Sequence, residues 1–262
     1  MASRTLTVIP IQAPVQTGKF NLLQTLTTSL LAAGEHLLDG DVLAVSSKYT
    51  AISEGRIITL SEVEVSEQAS MLAARYQMNP TMAELVVKEA DYIFGGIPGF
   101  LLTHKDGIIS PNAGIDRSNI PSGFAVLFPD DPYASARAIR SAIREALGVD
   151  VGVILTDSWL MPGRIGTTGV ALATAGFAPV QDERGKTDLF GNPMQVTRRG
   201  IADQLCVCAQ MVMGERDEAV PFAIVRGSGV ELSDTVITAA DVSIDWKECI
   251  YVQSLTDGLL RS

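Results

Sequence analysis

The stretch that decides the fold is Val151-Gly152-Val153-Ile154-Leu155-Thr156-Asp157-Ser158, an apolar run that ends in two hydroxyls and an acid. A short, continuous apolar run is typical of a strand buried on both faces. Ligands usually bind at the carboxyl ends of strands in α/β folds. Asp157 and Ser158 are therefore candidates for a metal and phosphate site. The alternative interpretation is a helix N-cap, where Asp and Ser are common.

Strand and helix patterns alternate on both sides of this stretch. The sequence predicts strands over 5–11, 42–47 and 221–225, and helices over 21–38, 66–77, 81–90, 134–147 and 201–213. Thr81 and Glu84 predict a capping box, and residues 95–99 predict a turn. We therefore expect an α+β (mixed α/β) fold with mixed sheets. Residues 1–262 should form a single unit of two interleaved subdomains, with a soft internal boundary near 60–80.

Composition excludes several classes of protein. The chain has 262 residues, of which 47% are hydrophobic and 19% charged, so it is not intrinsically disordered. Its net charge of −10 argues against a general nucleic-acid surface. No apolar run approaches the roughly 20 residues that a membrane span needs, and the first twenty residues do not form a secretory signal. Three cysteines without a framework indicate reduced thiols, so we expect a cytoplasmic protein.

Missing motifs limit the chemistry further. The sequence has no P-loop, no dinucleotide-binding glycine pattern and no serine-hydrolase elbow. It has two histidines and no Cys/His cluster with zinc spacing. Any metal must therefore be held mainly by oxygen, which favours Mg²⁺ or Mn²⁺.

Three further segments could carry function. The loop Asn112-Ala113-Gly114-Ile115-Asp116-Arg117-Ser118-Asn119 could present Asp116 to a cation and Asn119 to a polar ligand, or be a plain turn. Glu215 could be a second metal carboxylate, or part of an acidic loop that ends a helix. Five basic residues could bind an anionic substrate or form a paired surface; they are Arg164, Arg184, Lys186, Arg198 and Arg199.

Taken together, the segments resemble the coenzyme F420-0:L-glutamate ligase family, the gamma-glutamyl ligases of deazaflavin coenzyme synthesis. The resemblance runs in family order from about residue 39 to 227. Its segments are 39–43, 46–48, 54–56, 112–119, 131–136, 151–158, 169–171, 188–191, 202–203, 213–215 and 225–227. The most specific is Asn-Ala-Gly-Ile-Asp followed by Ser-Asn.

The resemblance implies an intertwined homodimer that uses GTP, L-glutamate, a deazaflavin precursor and two divalent ions, Mg²⁺ or Mn²⁺, with a monovalent cation as a further expected cofactor. It implies that Asp116 and Asp157 are catalytic and bind the first metal, and that Ser158 and Glu215 bind the second. The implied nucleotide site comprises Gln12, Ala13, Pro14, Val15, Ser47, Lys48, Asn119, Met213, Gly214, Glu215, Arg216, Asp217 and Glu218. The implied reaction forms an amide through an acyl phosphate.

The chain departs from the family pattern at three places. Ile52 replaces a lysine expected to contact the nucleotide, the segment from Trp159 to 164 is more apolar, and Gln204 replaces a glutamate. In a strand, Lys48 would share a face with Ile52 and could reach the same phosphate. Two alternatives therefore stay open: a paralogous carboxylate–amine ligase with another acid substrate, and a non-catalytic nucleotide- or metal-binding relative.

Overall fold

A computed structural model describes residues 5–256. The strands are β1 (Thr7–Ile11), β2 (Val42–Ser46), β3 (Ile57–Thr59), β4 (Tyr92–Ile97), β5 (Phe100–Lys105), β6 (Ile108–Pro111), β7 (Phe124–Val126), β8 (Gly152–Leu160), β9 (Thr167–Ala175), β10 (Val180–Asp182), β11 (Arg198–Gly200) and β12 (Phe222–Arg226). The helices are α1 (Leu22–Ala32), α2 (Ser47–Glu54), α3 (Glu67–Tyr76), α4 (Pro80–Glu89), α5 (Pro132–Leu147), α6 (Ile201–Met213) and α7 (Ile250–Thr256). The predicted mixed α+β class is confirmed.

The core is a five-stranded sheet in the order β1-β12-β2-β8-β9. β2 and β8 pair in parallel, with Ser46 opposite Thr156, and the other pairs are antiparallel. Side chains alternate between the two faces, so that Leu43 and Leu155 pack with α1 and α5 while Val42 and Ile154 pack with α6. Burial on both faces explains why these strands read as continuous apolar runs.

A second layer of structure is inserted between β3 and β7. It contains α3, α4 and a three-stranded antiparallel sheet, β4-β5-β6. Its apolar cluster includes Leu85, Val86 and Leu101. Glu89 of α4 ties this layer to Arg56, just after α2, by an ion pair, and it also pairs with Lys105 of β5 inside the layer. The boundary near 60–80 and the interleaving of the subdomains remain predictions.

Several local expectations were wrong for identifiable reasons. The helix predicted over 21–38 ends at Ala32, and Gly34 follows with a left-handed φ of 67°. The capping box does not form, because Asn79 caps α4 while Glu84 accepts hydrogen bonds from Ser66, eighteen residues earlier. Residues 95–97 belong to β4, so the predicted turn is confined to residues 98 and 99, between β4 and β5.

Asp157 and Ser158 lie inside β8, which continues to Leu160, so the helix N-cap interpretation is wrong. The parallel pairing with β2 nevertheless stops at Thr156, one residue before Asp157. The acid therefore lies at the carboxyl end of the parallel pair, although not at the end of its own strand. Within residues 5–256, none of the helices is long and apolar enough to span a bilayer.

Candidate active site

A cavity of about 600 Å³ opens where β2 ends and β8 continues. Five segments line it, drawn from residues 13–17, 46–52, 116–121, 156–158 and 210–221. They bring together most of the residues implied by the family resemblance: Ala13, Pro14, Val15, Lys48, Asp116, Asn119, Asp157, Ser158, Met213, Gly214, Glu215, Arg216, Asp217 and Glu218. The topology thus places residues far apart in the sequence around one space.

Two residues that the family resemblance places in the site do not line the cavity, but each donates a hydrogen bond to a residue that does. Ser47 Oγ donates a hydrogen bond to Asp157 Oδ2 at 3.1 Å. Gln12 Nε2 donates to the backbone oxygen of Glu218 at 3.2 Å. The first contact joins α2 to β8, and the second joins the end of β1 to the 213–218 loop.

Asp157 is held by its strand. Its backbone is paired with Val170 of β9, and its Oδ1 accepts from the N–H of Ser158 at 2.8 Å. Burial raises the pKa of the Asp157 carboxyl to about 6, against the opposing hydrogen bonds from Ser158 and Ser47. A carboxylate that pays this desolvation cost is suited to a bound cation.

Asp116 is held by its loop and by Lys48. Lys48 Nζ lies 2.6 Å from Asp116 Oδ2 and also donates to the backbone oxygen and hydroxyl of Ser118. Asp116 Oδ1 accepts from the N–H groups of Arg117 and Ser118. Burial opposes ionisation of Asp116, but Lys48 and Ser118 outweigh it and lower the pKa of this carboxyl.

The turn before Asp116 is built from left-handed residues. Asn112, Ala113 and Gly114 have φ values of 51°, 53° and 73°. Asn112 Oδ1 accepts from the N–H of Leu101, and the N–H of Ala113 donates to Thr103 Oγ1 at 2.8 Å. A Cβ on Gly114 would lie 1.9 Å from the Phe128 ring, so that no other residue fits this position unchanged. These contacts fix the turn from elements distant in the sequence.

A second group of oxygen atoms lies across the cavity. Ser158 Oγ donates to Glu215 Oε2 at 3.1 Å, and Thr167 Oγ1 donates to Glu215 Oε1 at 3.3 Å. The loop that carries Glu215 begins at Gly214, where a Cβ would lie 2.3 Å from the Glu218 carboxyl carbon. Glu218 Oε2 in turn accepts from the N–H of Arg216. Close packing of a carboxylate over Gly214 explains the glycine at this position.

The donor set fits hard divalent cations. Within the described part of the chain, no three His, Cys, Asp or Glu side chains converge closely enough to hold a metal alone. Mg²⁺ usually binds one or two carboxylates and completes its shell with water and substrate phosphates. The pairs Asp116 with Asp157 and Ser158 with Glu215 have that composition.

The segment around Ile52 is a helix, whereas the expectation from the sequence treats Lys48 and Ile52 as residues of one strand. Residues 47–54 form α2, so Lys48 and Ile52 share a face as helical i and i+4 neighbours. Ile52 is 4% exposed and packs with Ala51 and Val126, yet it also reaches the cavity wall. If Lys48 reaches the phosphate that the missing lysine would contact, we predict that Ile52→Lys tightens nucleotide binding and that Lys48→Ala weakens it.

The five basic residues singled out in the sequence lie outside the cavity lining. Arg184 and Arg198 pair with Asp182, and Lys186 pairs with Glu183. These contacts favour the interpretation of a paired surface. Conversely, sequence reasoning missed Tyr49, whose hydroxyl donates to the Pro14 backbone oxygen at 2.7 Å and fixes one cavity wall. No local pattern distinguishes this tyrosine from a core residue.

The chain is similar to known proteins over most of its length. A sequence model of the F420-0:gamma-glutamyl ligase family matches residues 10–227. The chain is 40% identical over 204 residues to the coenzyme F420:L-glutamate ligase of Methanopyrus kandleri, covering 78% of this chain and 81% of the relative. It is 34% identical over 228 residues to the protein of the same name from Methanocaldococcus jannaschii, covering 87% and 90%. The chain belongs to the F420-0:gamma-glutamyl ligase family.

Proposed function

We propose that this chain is a GTP-dependent ligase that joins L-glutamate, through an amide bond, to the carboxylate of coenzyme F420-0. The proposal is supported by family membership together with the names of the relatives, which are coenzyme F420:L-glutamate ligases. The single observation that carries it is the grouping of Asp116, Asp157, Ser158 and Glu215 around one cavity of about 600 Å³. A volume of this size suits a nucleotide.

We assign the metal-binding role to two pairs of side chains. Asp116 and Asp157 would hold one Mg²⁺ or Mn²⁺, and Ser158 and Glu215 would hold the other. When bound, the cations would offset the charge that develops on the phosphates during transfer. Lys48 supplies a fixed positive charge beside Asp116. This charge would reduce the repulsion between the nucleotide phosphates and the carboxylates of Asp116 and Asp157.

The nucleotide would lie against the start of α2 and the 213–218 loop. The first turn of a helix presents free N–H groups that favour phosphates, and Ser46 and Lys48 at the start of α2 line the cavity. Asn119, with a left-handed φ of 54°, faces the same space. These groups would orient the γ-phosphate toward the acceptor carboxylate.

The reaction has two bond-forming steps. A carboxylate oxygen of the acceptor attacks the γ-phosphorus in line, and GDP leaves to give an acyl phosphate. The neutral amine of glutamate then attacks the acyl carbon, inorganic phosphate departs, and the nitrogen loses one proton to solvent and keeps the other as the amide N–H. The chain supplies positioning and electrostatic stabilisation and no covalent nucleophile.

An alternative acid substrate is the second candidate function. Ile52 and Trp159 stand where the family pattern is more polar, and both reach a cavity wall in the fold. If these apolar residues change the cavity walls while the oxygen ligands stay the same, the enzyme would catalyse the same ligation on a different acid.

Product analysis tests the proposal. Purified protein is incubated with F420-0, GTP, Mn²⁺ and L-glutamate, and products are followed by mass spectrometry beside the Asp157→Asn variant. We expect a product with one or more added glutamates from the wild type and none from the variant. GDP release without glutamate incorporation would indicate another acceptor, and the absence of both would refute GTP-dependent ligation.

We also propose that the protein acts as a homodimer. The hairpin formed by β10 and β11 and the preceding β8–β9 loop expose large apolar side chains, with Leu189, Phe190 and Ile165 each at least 90% exposed. Exposed apolar residues of this kind indicate an interaction surface. Light scattering at micromolar concentration should give about twice the chain mass of 27.9 kDa, and a monomer mass would refute the proposal.

A further inference from the structure

A second cavity, of about 270 Å³, lies beside the first along the same pair of strands. Val170, which lines it, is the register partner of Asp157 in the first cavity. Trp159, another lining residue, directly follows Ser158. The two cavities therefore share the β8–β9 ladder, and a molecule that extends along it could occupy both.

The walls of this second cavity are mostly apolar and come from several elements. β6 contributes Ile108, β8 contributes Trp159, β9 contributes Leu172, and the segment 239–249 contributes Val242 and Ile244. Aromatic and branched side chains around a space of this size suit a planar ring. The cavity is too small for a nucleotide in full.

Three polar groups line the same cavity. Asp203 Oδ1 accepts from the N–H of Ala171 at 2.9 Å, while Oδ2 has no hydrogen-bond partner among the described residues. The Tyr133 hydroxyl is likewise without a partner there, and burial, with the charges of Asp241 and Asp203, raises the pKa of Tyr133 to about 12, so it stays a donor. Thr174 Oγ1 is buried and unpartnered. The exposed Asp203 carboxylate offers a free acceptor oxygen and the Tyr133 hydroxyl a free donor, so the cavity favours a ligand with N–H and carbonyl groups.

Two of the three departures from the family pattern lie in this cavity or next to it. Trp159 belongs to the apolar segment, and Asp203 precedes Gln204, the other changed residue near it. The segment 239–249, which closes the cavity, lies beyond the matched residues 10–227. This segment packs closely against Gly107 of the β5–β6 turn, where a side chain would not fit, because a Cβ there would lie 2.9 Å from Ser243 Cβ.

We infer that the second cavity is the subsite for the aromatic ring of the acceptor, with Asp203 accepting from a ring N–H and Tyr133 donating to a ring carbonyl. The deazaflavin ring of the acceptor carries both groups, so its identity as ligand rests on the proposed function. The acceptor carboxylate would then extend along β8 toward the first cavity. Trp159, stacked on the ring, sets the specificity for a flat ligand.

Binding of 5-deazariboflavin, which has the ring but neither phosphate nor carboxylate, tests the inference. Fluorescence titration of the full chain should show saturable binding that needs neither metal nor GTP. Asp203→Asn keeps an oxygen for the Ala171 N–H but loses the charge, and should weaken binding by about tenfold or more. Tyr133→Phe should weaken it less. Asp130→Asn, an exposed acid outside both cavity linings, is the matched control and should bind as the wild type does.

Thiol labelling places the probe in the cavity. Cys249 lines this cavity, Cys208 lies outside it, and Cys206 is buried. In a Cys208→Ser background, 5-deazariboflavin should slow the labelling of Cys249. Retained binding of Mn²⁺ and a GTP analogue shows that each variant is folded.

The outcomes separate this inference from the proposed function. Equal probe affinity in Asp203→Asn and wild type, or unprotected Cys249, would overturn the subsite even if glutamate ligation occurs. Specific probe binding that depends on Asp203, in a protein that makes no glutamyl product, would keep the ring subsite and refute the ligase reaction instead.

Discussion

Asp116 and Asp157 line the same cavity, but the fold holds them in different ways. Asp157 lies within β8, where pairing with Val170 restrains its backbone. Asp116 follows a turn of three left-handed residues, and its backbone pairs with a single residue, Val126, through two hydrogen bonds. One acid is positioned by a repeating ladder, whereas the other depends on individual side chains.

The difference shows which substitutions would displace each carboxylate. A ladder tolerates most changes around it, because its hydrogen bonds join backbone atoms. The turn before Asp116 instead depends on Thr103, Asn112, Gly114 and Phe128. Left-handed conformations at non-glycine residues cost free energy and persist when surrounding contacts enforce them. Changes in those supports should displace Asp116 and leave Asp157 in place.

The largest effect should come from removing the strand-borne ligand itself. Asp157→Asn should weaken Mn²⁺ binding, in the presence of a GTP analogue, by more than the roughly 10–100-fold that loss of an outer-shell partner costs. Calorimetric titration measures the affinity, with Asp130→Asn as the surface control. Equal affinity in Asp157→Asn and wild type would remove Asp157 from the metal site.

The next effect concerns the glycine in the turn. Gly114→Ala adds left-handed strain of about 1–2 kcal/mol and overpacks the Phe128 ring, which typically costs a further 1–3 kcal/mol or so. Gly123→Ala is the matched control, since Gly123 has φ 92° with nothing within 4 Å of a Cβ. Denaturant unfolding should give the larger loss at Gly114. Similar losses at the two positions would show that Phe128 does not constrain the turn.

A smaller loss of stability should follow when the turn keeps Gly114 but loses the hydrogen bond that Thr103 accepts from Ala113. Thr103 is fully buried, and Thr103→Val leaves the N–H of Ala113 without a partner, at a cost of about 1–3 kcal/mol. Ser110→Ala on the neighbouring strand is the control, because Ser110 Oγ is buried without a partner and its removal should cost little. Unfolding free energies and Mn²⁺ affinity should both fall for Thr103→Val alone.

The same contrast explains what the sequence could predict. The apolar runs of β2, β8 and β12 and the period of α6 are local patterns, and the structure has strands and a helix there. The support of Asp116 is not local, because Thr103 and Phe128 reach the turn from other elements. Glu84 likewise bonds to Ser66 instead of its own helix. The grouping of Asp116, Asp157 and Glu215 was implied by family resemblance, since no spacing rule brings such distant residues together.

The smallest predicted effect is a difference of sign between the two acids in metal-free protein. In the folded chain the pKa of Asp157 is about 6, above the ordinary value of an aspartate. Raising the pH from about 4 to 6 should therefore lower stability, because the unfolded chain has lost its proton there while the folded chain still binds one. Asp116 has a lowered pKa, and its contribution should be lost when the pH falls below the ordinary value.

At pH 7 with EDTA, Asp157→Asn should therefore raise Tm and Asp116→Asn should lower it. Each shift should be a few degrees, since 1 kcal/mol moves Tm by about 2–4 °C in domains of 150–250 residues. Calorimetric scans at pH 7 and pH 4 measure both effects, and the gain from Asp157→Asn should shrink at pH 4, where the wild-type Asp157 is already protonated. Shifts of the same sign at pH 7 would mean that strand and loop hold their carboxylates in electrostatically equivalent surroundings, which the ion pair between Lys48 and Asp116 argues against.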